Sequence, residues 1–477
     1  MQSARTKDGE RPDQERSPSG LELVGADIEV PLVTGGARRY VNLDYAASAP
    51  SLQAVWDAVQ AFMPWYSSVH RGAGFKSVIS TSVYEGAREA VRSFVGARPT
   101  DSVVFTRNTT DAINLLANAM GPADVVLVSD IEHHANLLPW RRAHRRIFSV
   151  PNDPGQLLDS IEGAIGEARP AVRLVAITGA SNVTGEIWPL AEISQLVHTH
   201  GARLMVDAAQ LAPHEPMDMV AQGIDYLAMS GHKLYAPFGA GVLVGPRDWL
   251  ATAEPYLAGG GAVEFVTLDD VLWKTPPDRE EAGSPNVVGA AAMGHACRVL
   301  QAHDMRRVAE HEAALHAYAR ERLLAIPGVE IYSLWRPPHP HIGVLTFGVR
   351  GYQHSLVASV LSAEYGIGVR HGCFCAHPLM VRLLHVERAE ADRIRRDLRD
   401  GGHPPLPGAI RMSLGLGTTR QDIDDCADAL EAIVARGPGW TYRQDPITGE
   451  FAPDPDPRPW PAIAFATERA FSTGESS

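Results

Sequence analysis

The chain has 477 residues, of which 45% are hydrophobic and 21% charged, with a formal net charge of −13. This composition suits an enzyme with a large buried core, and the acidic balance argues against nucleic acid or an anionic membrane as the main partner. No segment approaches the roughly 18 apolar residues of a membrane span, residues 1–20 are polar, and four cysteines do not make a disulfide framework, so we expect a cytoplasmic protein.

In chain order, the hydrophobic pattern divides the chain into four parts. Residues 1–38 are predicted to be a flexible lead, and residues 39–290 alternate strands and helices as a large α/β domain does. Residues 291–436 open with a long helical pattern from Ala290 to Leu324 and predict a small α/β domain. Residues 437–477 contain two tryptophans and several prolines, and they predict an extended arm rather than a packed domain.

The first chemically informative segment follows the predicted strand Val103-Val-Phe105. Asn108, Thr109 and Thr110 stand after it, at the start of a predicted helix. Helix N-termini bind phosphate through their free N–H groups and dipole, and short hydroxyl and amide side chains add donors. The same residues also serve as ordinary helix caps, so the sequence predicts either a phosphate site or a simple cap here.

Two further predicted strands deliver polar side chains to the same sheet edge. The strand Val125 to Ser129 is followed by His133, and the strand Val172 to Thr178 is followed by Asn182. Parallel α/β sheets bind ligands at the carboxyl ends of their strands. An imidazole at this edge can stack on a pyridine ring, although a histidine can equally be satisfied within the core or at the surface.

A carboxylate and a lysine follow the next two predicted strands. Asp207 ends the apolar run that begins at Ala202, and Lys233 follows the run that ends at Ala228. Such a pair suits pyridoxal phosphate, because the carboxylate would keep the pyridinium nitrogen protonated and the lysine would form a Schiff base. Gln210 would reach the pyridine 3-oxygen. The ordinary alternatives are a helix N-cap for Asp207 and a solvated loop charge for Lys233.

The segment Gly368 to Pro378 reads Gly-Val-Arg-His-Gly-Cys-Phe-Cys-Ala-His-Pro. Nearby positive charge lowers the pKa of a thiol and exposes a thiolate nucleophile. If the segment is extended, Cys373 and Cys375 share one face with His371 and His377. A zinc site is disfavoured, because four ligands on seven residues of strand cannot easily surround a tetrahedral ion. A redox pair and two inert thiols remain alternatives.

Residues 40–435 resemble the group II cysteine desulfurases, which are class V, fold-type I pyridoxal phosphate enzymes. The resemblance is carried, in order, by Leu43-Asp-Tyr-Ala-Ala47, Val69-His-Arg-Gly72, Asn108-Thr-Thr110, Glu132-His-His134, Ser181-Asn182, Asp207-Ala-Ala-Gln210, Ser230-Gly-His-Lys233, Ala282-Gly-Ser-Pro-Asn286 and Arg370-x-Gly-x-x-Cys-Ala376. It implies an α/β fold with a mainly parallel seven-stranded sheet in the large domain and a small C-terminal α/β domain.

The resemblance also implies a role for each matching residue. Lys233 would hold the cofactor and act as base at Cα, Asp207 would contact the ring nitrogen, and Gln210 the 3-oxygen, with His133 stacked on the ring. The remaining cofactor contacts would come from Asn108, Thr109, Thr110, Asn182, Ser230, His232 and, across a homodimer interface, Ser284. Substrate would be bound by Asn182, Arg370, His70 and Arg411, the last gripping its carboxylate.

Cys375 matches the cysteine that forms a persulfide in these enzymes. The implied reaction converts L-cysteine, or an analogue, to L-alanine and leaves sulfur on Cys375 for an acceptor that can be a protein. Cys373 and Phe374 replace two histidines of the usual pattern, so Cys373 would resolve that persulfide or mark another class V branch, such as the molybdenum-cofactor sulfurases. Residues 386–407 form a charged, proline-terminated insertion.

Other class V activities remain alternatives: a selenocysteine lyase, a C–S lyase acting on a modified cysteine, or an epimerase. A catalytically idle scaffold on the same fold is a further alternative, and the intact pair of Lys233 and Asp207 argues against it. A zinc-binding module is the least supported, and no metal is expected.

Overall fold

A computed structural model describes residues 20–70, 72–336, 338–461 and 463. The N-terminal segment forms an antiparallel hairpin of β1 (Glu29–Pro31) and β2 (Ala37–Arg39), followed by β3 (Val41–Asn42). In the turn of this hairpin the Val33 N–H donates a 2.9 Å hydrogen bond to the Ala363 carbonyl. The prediction of a flexible lead is therefore wrong for residues 20–38, and residues 1–19 lie outside the described residues.

The large domain alternates helices and strands as expected. Its helices are α1 (Gln53–Phe62), α2 (Phe75–Phe94), α3 (Thr109–Asn118), α4 (His134–Leu137), α5 (Leu157–Glu167), α6 (Leu190–Thr199), α7 (Asp248–Thr252) and α8 (Val287–His303). Its strands are β4 (Ser102–Thr106), β5 (Val125–Ser129), β6 (His144–Phe148), β7 (Val172–Thr178), β8 (Arg203–Asp207), β9 (Tyr226–Ser230), β10 (Gly241–Gly245), β11 (Val263–Val266) and β12 (Val271–Trp273).

Strands β4 to β10 form the predicted seven-stranded sheet, in the order β4-β10-β9-β8-β7-β5-β6. Neighbours from β9 to β6 are parallel, and β10 is antiparallel to both β4 and β9. Side chains alternate between two cores: Val125 and Leu127 pack on one face, Val126 and Val128 on the other. Burial of both faces explains the continuous apolar runs in the sequence.

The small domain follows α8. Its helices are α9 (Met305–Leu324), α10 (His354–Tyr365), α11 (His377–Leu383), α12 (Arg388–Arg399) and α13 (Arg420–Arg436). Its strands are β13 (Val329–Tyr332), β14 (Val344–Val349), β15 (Ile367–Gly368), β16 (Arg370–Gly372) and β17 (Ala409–Ser413). Strands β13, β14, β17 and β16 form an antiparallel sheet in that order, and β15 pairs in parallel with β3.

The prediction of one long helical pattern from Ala290 to Leu324 is wrong in one respect, because this range contains two helices, α8 and α9. Asp304 adopts a left-handed φ of 69° at the break, and its side chain accepts a hydrogen bond from the Arg306 N–H, which caps α9. Helix α8 packs against α1 and α2, whereas α9 packs against α13. The division of the chain at residue 290 stays a prediction.

The charged insertion forms α12, a helix without a buried residue. Beyond α13, β18 (Tyr442–Gln444) and β19 (Phe451–Pro453) pair as an antiparallel hairpin. Glu364 on α10 accepts hydrogen bonds from the Gly439 and Trp440 N–H groups and from the Tyr442 hydroxyl. This segment is therefore packed on the small domain rather than extended as predicted, while residues 462 and 464–477 lie outside the described residues. None of the described helices is long and apolar enough to cross a bilayer.

Candidate active site

A cavity of about 280 Å³ lies at the carboxyl ends of the parallel strands, between the two domains. The large domain contributes most of the predicted site residues to its lining: Asn108, Thr109, Thr110, His133, Asn182, Asp207, Gln210, Ser230, His232 and Lys233. The small domain closes it with Arg370, Phe374, Cys375 and Arg411. The structure thus brings together residues from five strand ends and from the predicted thiol segment.

Lys233 follows β9 and lines this cavity, where it is half-buried. Burial lowers its pKa to about 8, and the nearby carboxylate of Asp207 limits the shift. A lysine of this kind has a substantial fraction of neutral amine near pH 8, whereas a solvated lysine has almost none. Its Nζ is therefore equipped to act as a base or to attack an aldehyde.

Asp207 and Gln210 face the cavity from the end of β8. Burial raises the pKa of Asp207, and the charge of Lys233 opposes that rise. The Ala209 N–H donates a 3.0 Å hydrogen bond to Asp207 Oδ1. This contact resembles a helix N-cap, and it is compatible with a role for Asp207 in binding a cofactor. Gln210 Nε2 donates to the Ala46 carbonyl at 2.8 Å, and its Oε1 is buried without a partner in the part of the chain that the structure describes. Such a buried polar atom is normally satisfied by a bound group.

The N-terminus of α3 forms a polar corner of the cavity. The Thr109 N–H donates to Ser230 Oγ at 2.7 Å, and the two hydroxyls are also 2.7 Å apart. Asn108 caps the helix by accepting a hydrogen bond from the Asp111 N–H. On neighbouring β10, a Cβ at Gly241 would lie 2.5 Å from the Asn108 backbone, so only glycine allows this close approach. Thr110 and His232 complete the corner.

His133 presents a neutral ring to the cavity. Burial, reinforced by Lys233, lowers its pKa to about 3. Its Nδ1 accepts a 3.0 Å hydrogen bond from the Ala135 N–H, which fixes the imidazole at the start of α4. A neutral, fixed imidazole is suited to stacking against a flat ring.

Arg411 on β17 is a buried cation whose donors are only partly used by the protein. It donates to the Asn182 carbonyl at 3.0 Å and to Asp44 Oδ1 at 3.2 Å, and its guanidinium lies 5.1 Å from the Phe374 ring centroid. Its Nε is buried without a hydrogen-bond partner among the described residues. Arg370 lies 3.9 Å from the other Asp44 oxygen. The pair can therefore attract an anionic group such as a substrate carboxylate.

Sequence reasoning assigned no role to Asp44. It lies in the segment Leu43 to Ala47, which matches the desulfurase pattern, and its carboxylate orients the guanidinium of Arg411. Burial raises the pKa of Asp44, whereas Arg411 lowers it. The only sequence signal was its place in the matched segment, because the strand β17 that brings Arg411 to it lies far along the chain.

The thiol segment is not extended beyond Gly372, contrary to the premise that placed four side chains on one face. Phe374 and Cys375 both have left-handed backbones, with φ of 51° and 54°. Asn182 Nδ2 donates to the Phe374 carbonyl and the His134 N–H to the Cys375 carbonyl, each at 2.8 Å. The Cys375 thiol is exposed and lines the cavity. No described group of three or more histidine, cysteine or carboxylate side chains is arranged to hold a metal ion.

His70 and Ser284 do not line this cavity. They lie together on a second cavity of about 380 Å³, where His70 Nε2 is 2.9 Å from Glu85 Oε1. Within one chain, these two predicted binding residues are therefore separated from Lys233 and Cys375.

Comparisons with known proteins agree with this architecture. The family model of class V aminotransferases matches residues 41–426. Curated cysteine desulfurases from Dickeya dadantii and Klebsiella pneumoniae are 36% and 34% identical over 426 residues, which is 87% of this chain and 96% and 98% of theirs. A solved apo cysteine desulfurase from Thermococcus onnurineus superposes with a TM-score of 0.73 at 30% identity, covering 83% of this chain and 95% of that one.

This protein belongs to the class V aminotransferase family, with the α/β architecture of fold-type I enzymes. Within that family it groups with the cysteine desulfurases.

Proposed function

We propose that this protein uses pyridoxal phosphate to convert L-cysteine to L-alanine and retains the sulfur as a persulfide on Cys375. The observation that carries the proposal is the single cavity shared by Lys233, Arg411 and Cys375. A base, a carboxylate-binding cation and a nucleophilic thiol are the three groups that such a reaction requires.

The residues of the cavity fit the cofactor. Asp207 would hold the ring nitrogen and His133 the ring face. Gln210, whose side-chain oxygen has no partner among the residues that the structure describes, would hold the ring hydroxyl. The polar corner at the N-terminus of α3 would hold the phosphate through the helix dipole and through the hydroxyl groups of Thr109 and Ser230. When bound, pyridoxal phosphate supplies an electron sink that stabilises negative charge developing at Cα and Cβ.

The protein's own residues would act in a defined order. Arg411, oriented by Asp44, binds the substrate carboxylate, and the neutral amine of Lys233 takes the α-proton. The Cys375 thiolate then attacks the substrate sulfur, forming an S–S bond as the C–S bond breaks. The electron pair of the broken C–S bond stays on carbon. That carbon is then protonated, and alanine leaves.

We propose that the protein acts as a homodimer in the cytoplasm. Exposed apolar side chains occur in segments that neighbour the lining of the second cavity along the chain, in the N-terminal turn of α2 and around the β11–β12 hairpin: Phe75, Leu257, Phe265, Val266, Leu268 and Leu272. Patches of this kind usually mark an interface. A partner chain there would let Ser284 and His70 complete the partner's active site, as their roles in the resembling family would require.

The test is incubation of cofactor-loaded protein with L-cysteine, with alanine and protein persulfide measured together. The proposal expects equal amounts of both in the first turnover and loss of both in Cys375→Ala. Cys426→Ala, which removes a fully buried thiol of the small domain, is the matched control. Pyruvate formation, or turnover indifferent to Cys375, would contradict the proposal and indicate a lyase or epimerase.

A further inference from the structure

Cys373 belongs to a short string of nucleophilic and basic side chains beside the active site. Its Sγ lies 3.7 Å from His377 Nδ1, and that nitrogen lies 3.2 Å from His134 Nε2. The two imidazole rings are stacked, with centroids 5.0 Å apart and planes 8° from parallel. The mechanism proposed above uses none of these three side chains.

The hydrogen bonds show which nitrogen atoms of this string act as acceptors. The His377 backbone N–H donates to His134 Nε2 at 3.3 Å, so that nitrogen is an unprotonated acceptor. Burial and the neighbouring His377 also lower the pKa of His134. Because His134 Nε2 is occupied by that N–H, His377 Nδ1 is left to interact with the Cys373 thiol. His377 Nδ1 is placed to take the proton of the Cys373 thiol.

The two thiols are close along the chain but lie in different surroundings. A segment of two residues spans at most about 7 Å, and the turn folds it back, since the Ala376 N–H donates to the Cys373 carbonyl at 2.9 Å. A persulfide on Cys375 would extend its reach by about 2 Å. Cys375 lines the cavity, whereas Cys373 is half-buried and is not among the cavity-lining residues.

We propose, resting on the desulfurase function proposed above, that Cys373 is a second sulfur carrier that takes the persulfide sulfur from Cys375 and presents it to an external acceptor thiol. His377 deprotonates Cys373, and the thiolate attacks the outer sulfur of the Cys375 persulfide. A new S–S bond forms at Cys373, the old one breaks, and Cys375 leaves as a thiolate.

This transfer is redox-neutral and needs no added reductant. Attack on the inner sulfur would instead form a Cys373–Cys375 disulfide, release hydrosulfide and require a reductant before the next turnover. Transfer to the outer sulfur frees Cys375 for the next substrate while the first sulfur waits outside the cavity.

The test is a single turnover of the cofactor-loaded protein with L-cysteine carrying a heavy sulfur isotope. The reaction is quenched at intervals with an alkylating agent, and mass spectrometry of the digested protein locates the extra sulfur. We expect it first on Cys375 and then on Cys373. In Cys373→Ser it stays on Cys375, and in His377→Gln its arrival at Cys373 slows by about 100-fold, a typical loss for a general base. His403 is an exposed histidine, and His403→Gln controls for the replacement of a histidine by glutamine elsewhere in the protein.

Three results would overturn the relay: heavy sulfur on Cys375 that never reaches Cys373, a Cys373–Cys375 disulfide with released hydrosulfide, or an unchanged transfer rate in His377→Gln. Failure of the underlying function looks different, because neither alanine nor a Cys375 persulfide would then form in the wild-type protein.

Discussion

The Asn182 side chain donates a 2.8 Å hydrogen bond to the Phe374 carbonyl, while the Asn182 backbone carbonyl accepts a hydrogen bond from Arg411 at 3.0 Å. One residue, placed after β7 in the large domain, thus supports both the cation that faces the cavity and the turn that carries Cys375. The positions of these two groups are therefore linked through a single side chain and its backbone.

Replacing Asn182 with Ala should slow persulfide formation on Cys375. The variant loses one hydrogen bond and leaves the Phe374 carbonyl without its donor, at a cost of about 1 kcal/mol. We expect a roughly fivefold to tenfold slower first turnover, measured by rapid quenching of the alanine burst. Ser194 lies on α6 and its hydroxyl donates a hydrogen bond to the Gly223 carbonyl, so Ser194→Ala controls for general loosening of the large domain. An unchanged burst would show that Asn182 does not position the thiol turn.

Arg411→Lys should weaken substrate binding. Lysine cannot keep the contacts with Asn182 and Asp44 while offering a further N–H to a carboxylate. A hydrogen bond to a charged group contributes about 1.5–3 kcal/mol, so kcat/KM for L-cysteine should fall by roughly 10-fold to 150-fold. The same exchange at Arg395, an exposed residue of α12, should leave it unchanged. A loss confined to kcat would indicate a role other than carboxylate binding.

Attachment of the cofactor to the apo protein should depend on pH through Lys233. Only the neutral amine attacks an aldehyde, and burial lowers the pKa of Lys233 to about 8. The attachment rate should therefore rise about tenfold per unit below pH 8 and level off above it, followed by the visible absorption of the bound cofactor. An attachment rate that levels off only near the ordinary lysine pKa of about 10.4 would contradict a lowered pKa for Lys233. Lys233→Ala should show no covalent attachment at any pH.

Glu281→Ala should destabilise the large domain. Glu281 binds buried Arg88 through both carboxylate oxygens, at 2.9 and 3.0 Å, and also accepts from the Phe105 N–H. Arg88 keeps Glu85 as a second carboxylate partner at 3.0 Å, so we expect the cost of a lost charged hydrogen-bond partner, about 1.5–3 kcal/mol. Urea unfolding should show a clearly lower midpoint. Glu89→Ala removes an exposed partner of Arg92 and should cost less than about 1 kcal/mol, so equal effects of the two changes would argue against the buried pair.

Sequence patterns predicted the sheet and most of the cavity because both depend on local rules. Apolar runs marked the parallel strands, and the residues just after them, such as Asp207 and Lys233, had to meet at one sheet edge. The turn at Phe374 and Cys375 was not foreseen, because left-handed backbones at non-glycine residues are imposed by distant contacts with Asn182 and His134. The pairing of Asp44 with Arg411 could not be predicted either, because it also joins residues that are far apart in the sequence.

The separation of His70 from the cavity could not be read from the motifs either, whereas the resemblance already implied that Ser284 acts across a homodimer interface. A motif records that a residue is near an active site, but not whether that site belongs to its own chain or to a second one. The packed state of residues 20–38 was missed because short, polar hairpin strands have no clear periodicity.

The left-handed pair Phe374 and Cys375 has a consequence for the isolated segment. Each such residue costs about 1–3 kcal/mol, and the contacts that hold this conformation come from the other domain. A synthetic peptide with the sequence of residues 368–378 would relax to extended or disordered forms and behave as an ordinary dithiol. The arrangement of its two thiols is a property of the folded domain interface, and it would vanish on unfolding before either cysteine had changed chemically.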